Sequence, residues 1–436
     1  MATSDEHETS KEFQVRILSP DGTYETEVTL AEDELPTSPP LLLGIDKRSK
    51  ETPGPDRTAE QRETYIILST GSGNQAAASF FREVVYPILV SHNGPEGAGA
   101  MKVHETTSAT SILEFTDDII FPAANNGKAL RIILFSGDGG IVDLVNGLSS
   151  QPTSSAYIAP QVVLLPLGTA NALYHSINTG RQNKWGLHAL GSTTSKPLPT
   201  FTATFSPDSR LLVNEGQDEE ELPKNASPGD LTLHGAVVAS WGMHASLVAD
   251  SDTTEYRKFG VERFKMAAKD LLYPSDGSPP HAYRGHIATY NSESNTWTEL
   301  PENEHVYVLA TLVSNLEATF TISPESKPLD GSMHLVHFGP RSGDEVMRIM
   351  GLAYQGGLHV KEEDVWYESI DGFRVLFGEE NVWYDGIDGF RMLFDEEEGR
   401  WRRVCIDGKI VRIGKRGWME VRKSKGKGVL DVVVLE

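Results

Sequence analysis

Three short runs, Tyr65-Ile66-Ile67-Leu68, Arg131-Ile132-Ile133-Leu134-Phe135 and Val162-Val163-Leu164-Leu165, are apolar almost throughout instead of alternating. Strands covered on both faces of a parallel sheet read this way. Each run leads into a glycine-containing loop and then a helical pattern. After the first, Ala77, Phe80, Phe81, Val84, Val85, Ile88 and Leu89 recur at three- and four-residue spacing. Residues 61–185 are therefore expected to form a doubly wound α/β nucleotide-binding domain, with its loops gathered at the carboxyl ends of the strands, where ligands bind in such sheets. Upstream, Phe13, Val15 and Ile17 and then Tyr24, Thr26 and Val28 alternate around Asp21-Gly22, which predicts a hairpin. From Glu34 to Glu63 the chain is rich in Pro, Thr and charge apart from Leu41-Leu42-Leu43, so residues 1–60 read as a variable hairpin and linker.

Beyond Trp185 the pattern changes to short runs separated by turn-rich loops, such as Phe201–Phe205, Leu231–Ser240, His305–Val313, Met333–Phe338 and Val429–Leu435. Residues 186–436 are accordingly expected to form a mostly antiparallel β-sandwich, interrupted by one helix at 254–272. The acidic stretch 215–223 reads as a solvated loop. One repeat is present: VWYESIDGFRVLFGEE at 365–380 returns as VWYDGIDGFRMLFDEE at 382–397, which predicts a duplicated strand-turn-strand hairpin.

Composition narrows the function. Across 436 residues, 39 Lys and Arg stand against 62 Asp and Glu, a net charge of −23 that argues against a general nucleic-acid binder. The single cysteine, Cys405, excludes a disulfide framework and any CxxC metal site, and in Val404-Cys405-Ile406 it reads as a buried strand residue. His175, His234, His244 and His359 show no metal-ligand spacing, and no GxSxG elbow follows a strand. There is no apolar run of about 18 residues, and the first residues are polar and acidic, so a cytoplasmic chain is expected. The stretch from Arg400 to Lys427 is strongly basic, which suggests peripheral contact with an anionic membrane surface.

The candidate chemistry lies in three loops: Ser69-Thr70-Gly71-Ser72-Gly73-Asn74, Ser136-Gly137-Asp138-Gly139-Gly140 and Pro166-Leu167-Gly168-Thr169-Ala170-Asn171. Glycines let the backbone approach a phosphate, and helix N-termini add unpaired N–H groups. None of the loops is a Walker or GxGxxG motif. Asp138, held between two glycines, is suited to take a proton from an attacking hydroxyl or to help hold Mg²⁺ between phosphates. The alternative is an aspartate that only caps a helix.

SGDGG-IVDLVNG and PLGTANAL resemble the GGDGT-xxEVxNG and PLGTxNxLA motifs of the diacylglycerol kinase catalytic domain family of lipid kinases, which includes sphingosine and ceramide kinases. STGSG stands where that family has NPxSGxG. Ser240-Trp241-Gly242, Tyr256-Arg257-Lys258-Phe259-Gly260, Ala282-Tyr283-Arg284-Gly285 and Ile406-Asp407-Gly408-Lys409 are similar to the sphingosine kinase segments WGF, YRxLG, TYRG and VDGE. The resemblance implies an NAD-kinase-like α/β domain joined to a β-sandwich, with ATP on the glycine loops, Mg²⁺ among its phosphates and a lipid substrate reaching the cleft from the sandwich side. It implies an ATP-dependent lipid kinase acting on a diacylglycerol- or sphingoid-type hydroxyl. The alternatives are a catalytically weak or inactive nucleotide- or lipid-binding module and, less favoured, an NAD kinase.

Carried over by position, Asp138 is the base and a weak Mg²⁺ contact. Ser69, Thr70, Gly71, Ser72, Gly73, Thr106, Gly137, Gly139, Gly140, Gly168, Thr169 and Asn171 would line the nucleotide, Arg257 would face phosphate or the acidic run, Asp407 would be a second carboxylate near the nucleotide, and Trp241, Asp250 and Asp252 would face the lipid. Against the family pattern, Ser69-Thr70 replaces NP, Asn74 a frequent basic residue, Gly140 the Thr of GGDGT and Asp143 the helix Glu. Lys409 replaces the Glu of VDGE, and Ser246 stands where sphingosine kinases carry a carboxylate.

Overall fold

The structure, a computed structural model, describes residues 11–19, 23–33, 38–49, 62–223, 231–260, 262–376, 396–426 and 428–435. The apolar runs form a parallel sheet: β4 (Glu63–Leu68), β5 (Lys102–Glu105), β6 (Leu130–Ser136) and β7 (Gln161–Pro166), in the order β5-β4-β6-β7. Helix α1 (Asp138–Ser149) follows β6, and α2 (Ala172–Ile177) follows β7. Ile132, Leu134 and Val162 point to one face with Ile141, Leu144 and Leu148, whereas Ile66, Ile133 and Val163 point to the other with Phe80, Val84 and Ile88. Both faces are covered, which is why the strands carry no polar alternation.

The sheet does not stop at residue 185. The strand Asp431–Val433 pairs parallel to β7, and β8 (Ser195–Pro197) pairs antiparallel to it, completing six strands. The run Val429–Leu435 reads by itself like any other sandwich strand. Its burial beside β7, with Leu430 and Val432 wholly inaccessible, is a tertiary outcome that local pattern cannot carry.

In front of this unit, β1 (Glu12–Leu18), β2 (Tyr24–Ala31) and β3 (Leu41–Ser49) form an antiparallel sheet whose Val15, Ile17, Val28 and Leu30 pack with Ile66, Leu68 and Phe80. The hairpin at 12–30 is present, but the expected linker contains β3. Its outward positions Leu41 and Leu43 are themselves apolar and 55% and 53% exposed, so the strand shows no alternation.

Most of the remaining strands form two antiparallel sheets packed face to face, with Tyr283–Arg284 and Glu304–His305, and Asn315–Glu317 and Phe320–Thr321, pairing separately as two small ribbons. An eight-stranded sheet includes Lys409–Arg412, Arg403–Ile406, Val238–Gly242, Tyr307–Thr311 and Met333–Phe338, and a six-stranded sheet includes Leu231–Gly235, Phe201–Phe205, Trp418–Lys423 and Gly372–Leu376. Phe201, Phe205, Trp241, Phe373, Val404 and Met419 fill the space between them. The acidic stretch is partly an exposed edge strand, Asp218–Glu221, paired to Arg210–Val213; four exposed acids carry no strand periodicity. The expected helix is split into Thr254–Arg257 and Glu262–Leu272, and the helix Met243–Ser251 precedes it. The first repeat copy is not a hairpin. Trp366–Ile370 joins the eight-stranded sheet and Gly372–Leu376 the six-stranded one, so the chain crosses between layers at Asp371. A Cβ at Gly372 would lie 2.4 Å from the Val421 carbonyl oxygen, so this crossing needs glycine. The second copy lies outside the described residues except for Glu396 and Glu397.

Candidate active site

All three glycine loops meet at the carboxyl ends of β4, β6 and β7. Gly137 and Gly168 touch backbone to backbone: a Cβ on Gly137 would stand 2.7 Å from the Gly168 Cα, and one on Gly168 would stand 2.4 Å from the Gly137 Cα. Gly73, at φ +48°, passes so close to Leu167 that a Cβ would meet its carbonyl oxygen at 2.4 Å. The Thr70 amide donates to Thr106 Oγ1 at 3.0 Å and the Thr70 hydroxyl to the Thr106 carbonyl at 2.7 Å, which ties the loop after β5 to the first glycine loop. Ser72 Oγ lies 3.1 Å from Ser69 Oγ and 3.2 Å from Ser136 Oγ, linking the first loop to the second. Asn171 holds the third loop: in the left-handed conformation at φ 54°, its side chain accepts from the Gly168 amide at 2.8 Å and donates to the Gly168 carbonyl at 3.0 Å.

Asp138 opens α1 and reaches across to the third loop. Its carboxylate oxygens accept the Ala172 amide at 2.8 Å and the Leu173 amide at 3.0 Å, the first residues of α2. Burial pushes this carboxyl above its usual range, against the opposing pull of those two N–H groups. It therefore caps a helix, though not its own, and in doing so it locks the second loop to the third. Gly139 beside it is exposed and no neighbour would obstruct a side chain there, so this backbone faces open space.

Behind Asp138 the sandwich supplies a second carboxylate. Asp407, 6% exposed, accepts the amides of Ala236 at 2.6 Å and of Val238 at 2.5 Å, with Val237 between them at 3.1 Å. Burial raises its pKa to about 7 despite those three donors, and the negative charge of Asp138 adds to the rise. Asp407 lies near the site, but its oxygens are committed to the 236–238 turn. Among the described residues no group of three or more His, Cys, Asp or Glu side chains could hold a metal ion. A divalent ion would have to arrive on the phosphates, with Asp138 offering only lone pairs not already bonded to N–H.

Two departures from the family pattern turn out to be linked. Lys409 Nζ meets Asp143 Oδ1 at 2.8 Å, joining the Asp407-Gly408 turn of the sandwich to α1. Three residues further along α1, Asn146 donates to the His234 carbonyl at 2.8 Å and accepts the His234 amide at 3.0 Å, a two-way bond to the edge of the six-stranded sheet. Sequence reading took Asn146 only as part of a motif; its partner lies 88 residues away and leaves no local signal. The missing hydroxyl at Gly140 has a counterpart too. A Cβ there would meet Ser136 Oγ at 2.6 Å, so the serine occupies that space.

The lipid-side expectations fare differently. Trp241 is fully buried between the sheets, edge-on to Tyr283 and His305, with its Nε1 donating to the Trp401 carbonyl at 3.1 Å. It is a core residue and not a lipid contact. A WG motif does not reveal which face of its strand is buried. Asp250 pairs with Arg400 and Arg403, each at 2.8 Å, and Asp252 pairs with Arg257 and Arg263. Arg257 grips Asp252 through two nitrogens, at 3.0 and 2.9 Å, so it faces the acidic run and not the glycine loops. Ser246 is fully buried and receives the Tyr283 hydroxyl at 2.8 Å. Within the basic C-terminal stretch, Arg400, Arg403, Lys409, Arg412, Arg422 and Lys423 each meet a carboxylate. Among the described residues no helix is long and apolar enough to cross a membrane.

Comparison with known proteins agrees with this geometry. Residues 63–202 match the model of the diacylglycerol kinase catalytic domain. Sphingosine kinase 1 of Homo sapiens is 24% identical over 338 residues, covering 71% of this chain and 81% of the human protein. The Rattus norvegicus sphingosine kinase 1 is also 24% identical, over 320 residues, 68% of this chain and 76% of the rat protein. The crystal structure of a diacylglycerol kinase from Bacillus anthracis str. Sterne is similar with a TM-score of 0.51 at 13% identity, covering 86% of this chain and 97% of that one. At that identity the likeness is one of fold.

Proposed function

We propose that this chain, whose residues 63–202 match the model of the diacylglycerol kinase catalytic domain, is an ATP-dependent lipid kinase that transfers the γ-phosphoryl group of ATP to a lipid hydroxyl. The observation that carries the reading is the convergence of the three glycine loops on Asp138 at one end of the parallel sheet. Phosphoryl transfer asks the protein chiefly to position groups and to answer charge. The loops between Ser69 and Gly73, Gly137 and Gly140, and Gly168 and Asn171 offer closely approachable backbone for the phosphates. Asp138, raised in basicity by burial, accepts the proton of the attacking hydroxyl as its oxygen bonds to phosphorus and the bond to ADP breaks. Mg²⁺, carried on the nucleotide, would offset the charge of the phosphates.

The acceptor in this reading is a neutral lipid alcohol of the diacylglycerol type. An ammonium in a buried site needs an anion beside it. Ser246 offers none, and Asp250 and Asp252 already face arginines. One observation favours a second reading, a weakly active or inactive nucleotide-binding module: both oxygens of Asp138 are engaged by the α2 backbone. Radiolabelled ATP incubated with diacylglycerol, sphingoid bases, ceramide and NAD in mixed micelles, with Asp138→Asn run in parallel, separates these outcomes. Labelled phosphatidic acid from the wild type alone supports the kinase. ATP binding without any labelled lipid supports the module, and preferential labelling of a sphingoid base overturns the choice of acceptor.

A further inference from the structure

Asp143 lies on α1 five positions after Asp138, is only 8% exposed, and has the Lys409 ammonium as its ion-pair partner. Lys409 follows Asp407 in the tight turn between Arg403–Ile406 and Lys409–Arg412, where Asp407 and Gly408 both take positive φ values, 47° and 91°. The charge of Asp138 acts on Asp407, and Asp143 is joined to the Asp407-Gly408 turn through Lys409, so acidic side chains gather where α1 meets the sandwich; among the described residues Lys409 is the cation that pairs with any of the three. A site built to accept a triphosphate at such an acidic junction needs a fixed positive charge, because like charges in a partly buried setting are poorly screened.

We propose that Lys409 is a positioning residue for the nucleotide: by neutralising Asp143 it keeps this acidic end of the site receptive to the phosphates. It acts through Asp143 and does not have to touch ATP. The proposal rests on the nucleotide reading given above, and it treats the exchange of Glu for Lys at this place as a compensated rearrangement and not as decay.

A purely structural clasp and a charge-compensating one differ in a simple way. If Lys409 serves only to hold the two units together, removing either partner does equal harm. If it serves to cancel Asp143, then Lys409→Met is harmful, whereas Asp143→Asn is tolerated and rescues Lys409→Met. Calorimetric titration of Mg·ATP into the full chain, with melting temperatures recorded for each variant, reads this directly. Lys409→Met is expected to weaken ATP by roughly tenfold, with Lys409→Arg and Asp143→Asn/Lys409→Met close to wild type. In turnover assays the loss falls on the KM for ATP more than on kcat. Should Lys409→Met fail to fold, Asp143→Asn still decides the matter: a tenfold loss from it alone overturns the proposal, and unimpaired ATP binding upholds it. Unchanged binding in Lys409→Met also overturns it. A wild-type chain that binds no ATP removes the nucleotide reading, a failure visible before any variant is compared.

Discussion

At the scale of single residues, Asp138 does two jobs that pull its acidity in opposite directions. Burial favours the proton, and the amides of Ala172 and Leu173 favour the charge. Asp138→Asn keeps the size and one acceptor oxygen while removing the base. Transfer to lipid should fall by about a hundredfold or more, and because the new amide nitrogen faces a backbone donor, stability should fall as well, by about 1–3 kcal/mol; labelled-lipid rates beside urea midpoints check both halves. Asp407 meets the same conflict with one more donor around it. Its carboxylate satisfies the amides of Ala236, Val237 and Val238, so Asp407→Asn turns a nitrogen donor toward other donors and should destabilise by about 2–4 kcal/mol. Asp138, the glycines and Asn171 were legible because chemistry and backbone demand concentrate in contiguous loops. Trp241 was misread because its motif position is visible in sequence and the core that encloses it is not; for Arg257 the sequence leaves phosphate and the acidic run both open, and the bond to Asp252 selects the acidic run.

At the scale of elements, the parallel strands were foreseeable from their unbroken apolar runs and the sandwich strands from short runs set between turn-rich loops, whereas β3 and the returning strand Asp431–Val433 were not. Those two depend on what lies beside them. The joints between elements follow the same rule. Asn146 satisfies both backbone groups of His234, and Asn146→Ala would strand an amide and a carbonyl at the joint, at a cost of about 1–3 kcal/mol seen as a lowered denaturation midpoint. A second joint, inside the sandwich, is sensitive to acid. His305 Nδ1 lies 2.7 Å from His337 Nε2, and His305 Nε2 donates to the Gly285 carbonyl at 2.8 Å, so the pair is neutral. Burial lowers His305 to about 3 and His337 to about 4 from the usual 6.5. The unfolded chain takes up protons first. The contribution of the pair is therefore intact above about pH 6.5 and is lost as pH falls toward 4. His337→Gln, which can still donate to His305, should flatten the fall of the urea midpoint across that window.

At the scale of the whole molecule, the two units share a boundary that does not follow chain order. Leu430, Val432 and Val433 are buried against the α/β sheet, although the chain reaches them only after passing through the whole sandwich. The Tyr157 hydroxyl, which donates to the Val429 carbonyl at 2.5 Å, fastens the same segment. Removing residues 428–436 would forgo burial worth on the order of 5 kcal/mol, comparable to the total stability of many domains. The shortened chain should be found largely insoluble, or should melt without a cooperative transition. Circular dichroism and recovery in the soluble fraction would show whether it does.

That returning strand also sets an order of events during synthesis. The ribosome makes β4 to β7 early, yet the edge of β7 waits bare until the sandwich strands have emerged and residues 431–433 arrive beside it. A nascent chain therefore carries its phosphate loops on an unfinished scaffold, and the capacity to bind nucleotide should appear late and abruptly, when the last strand slots into place.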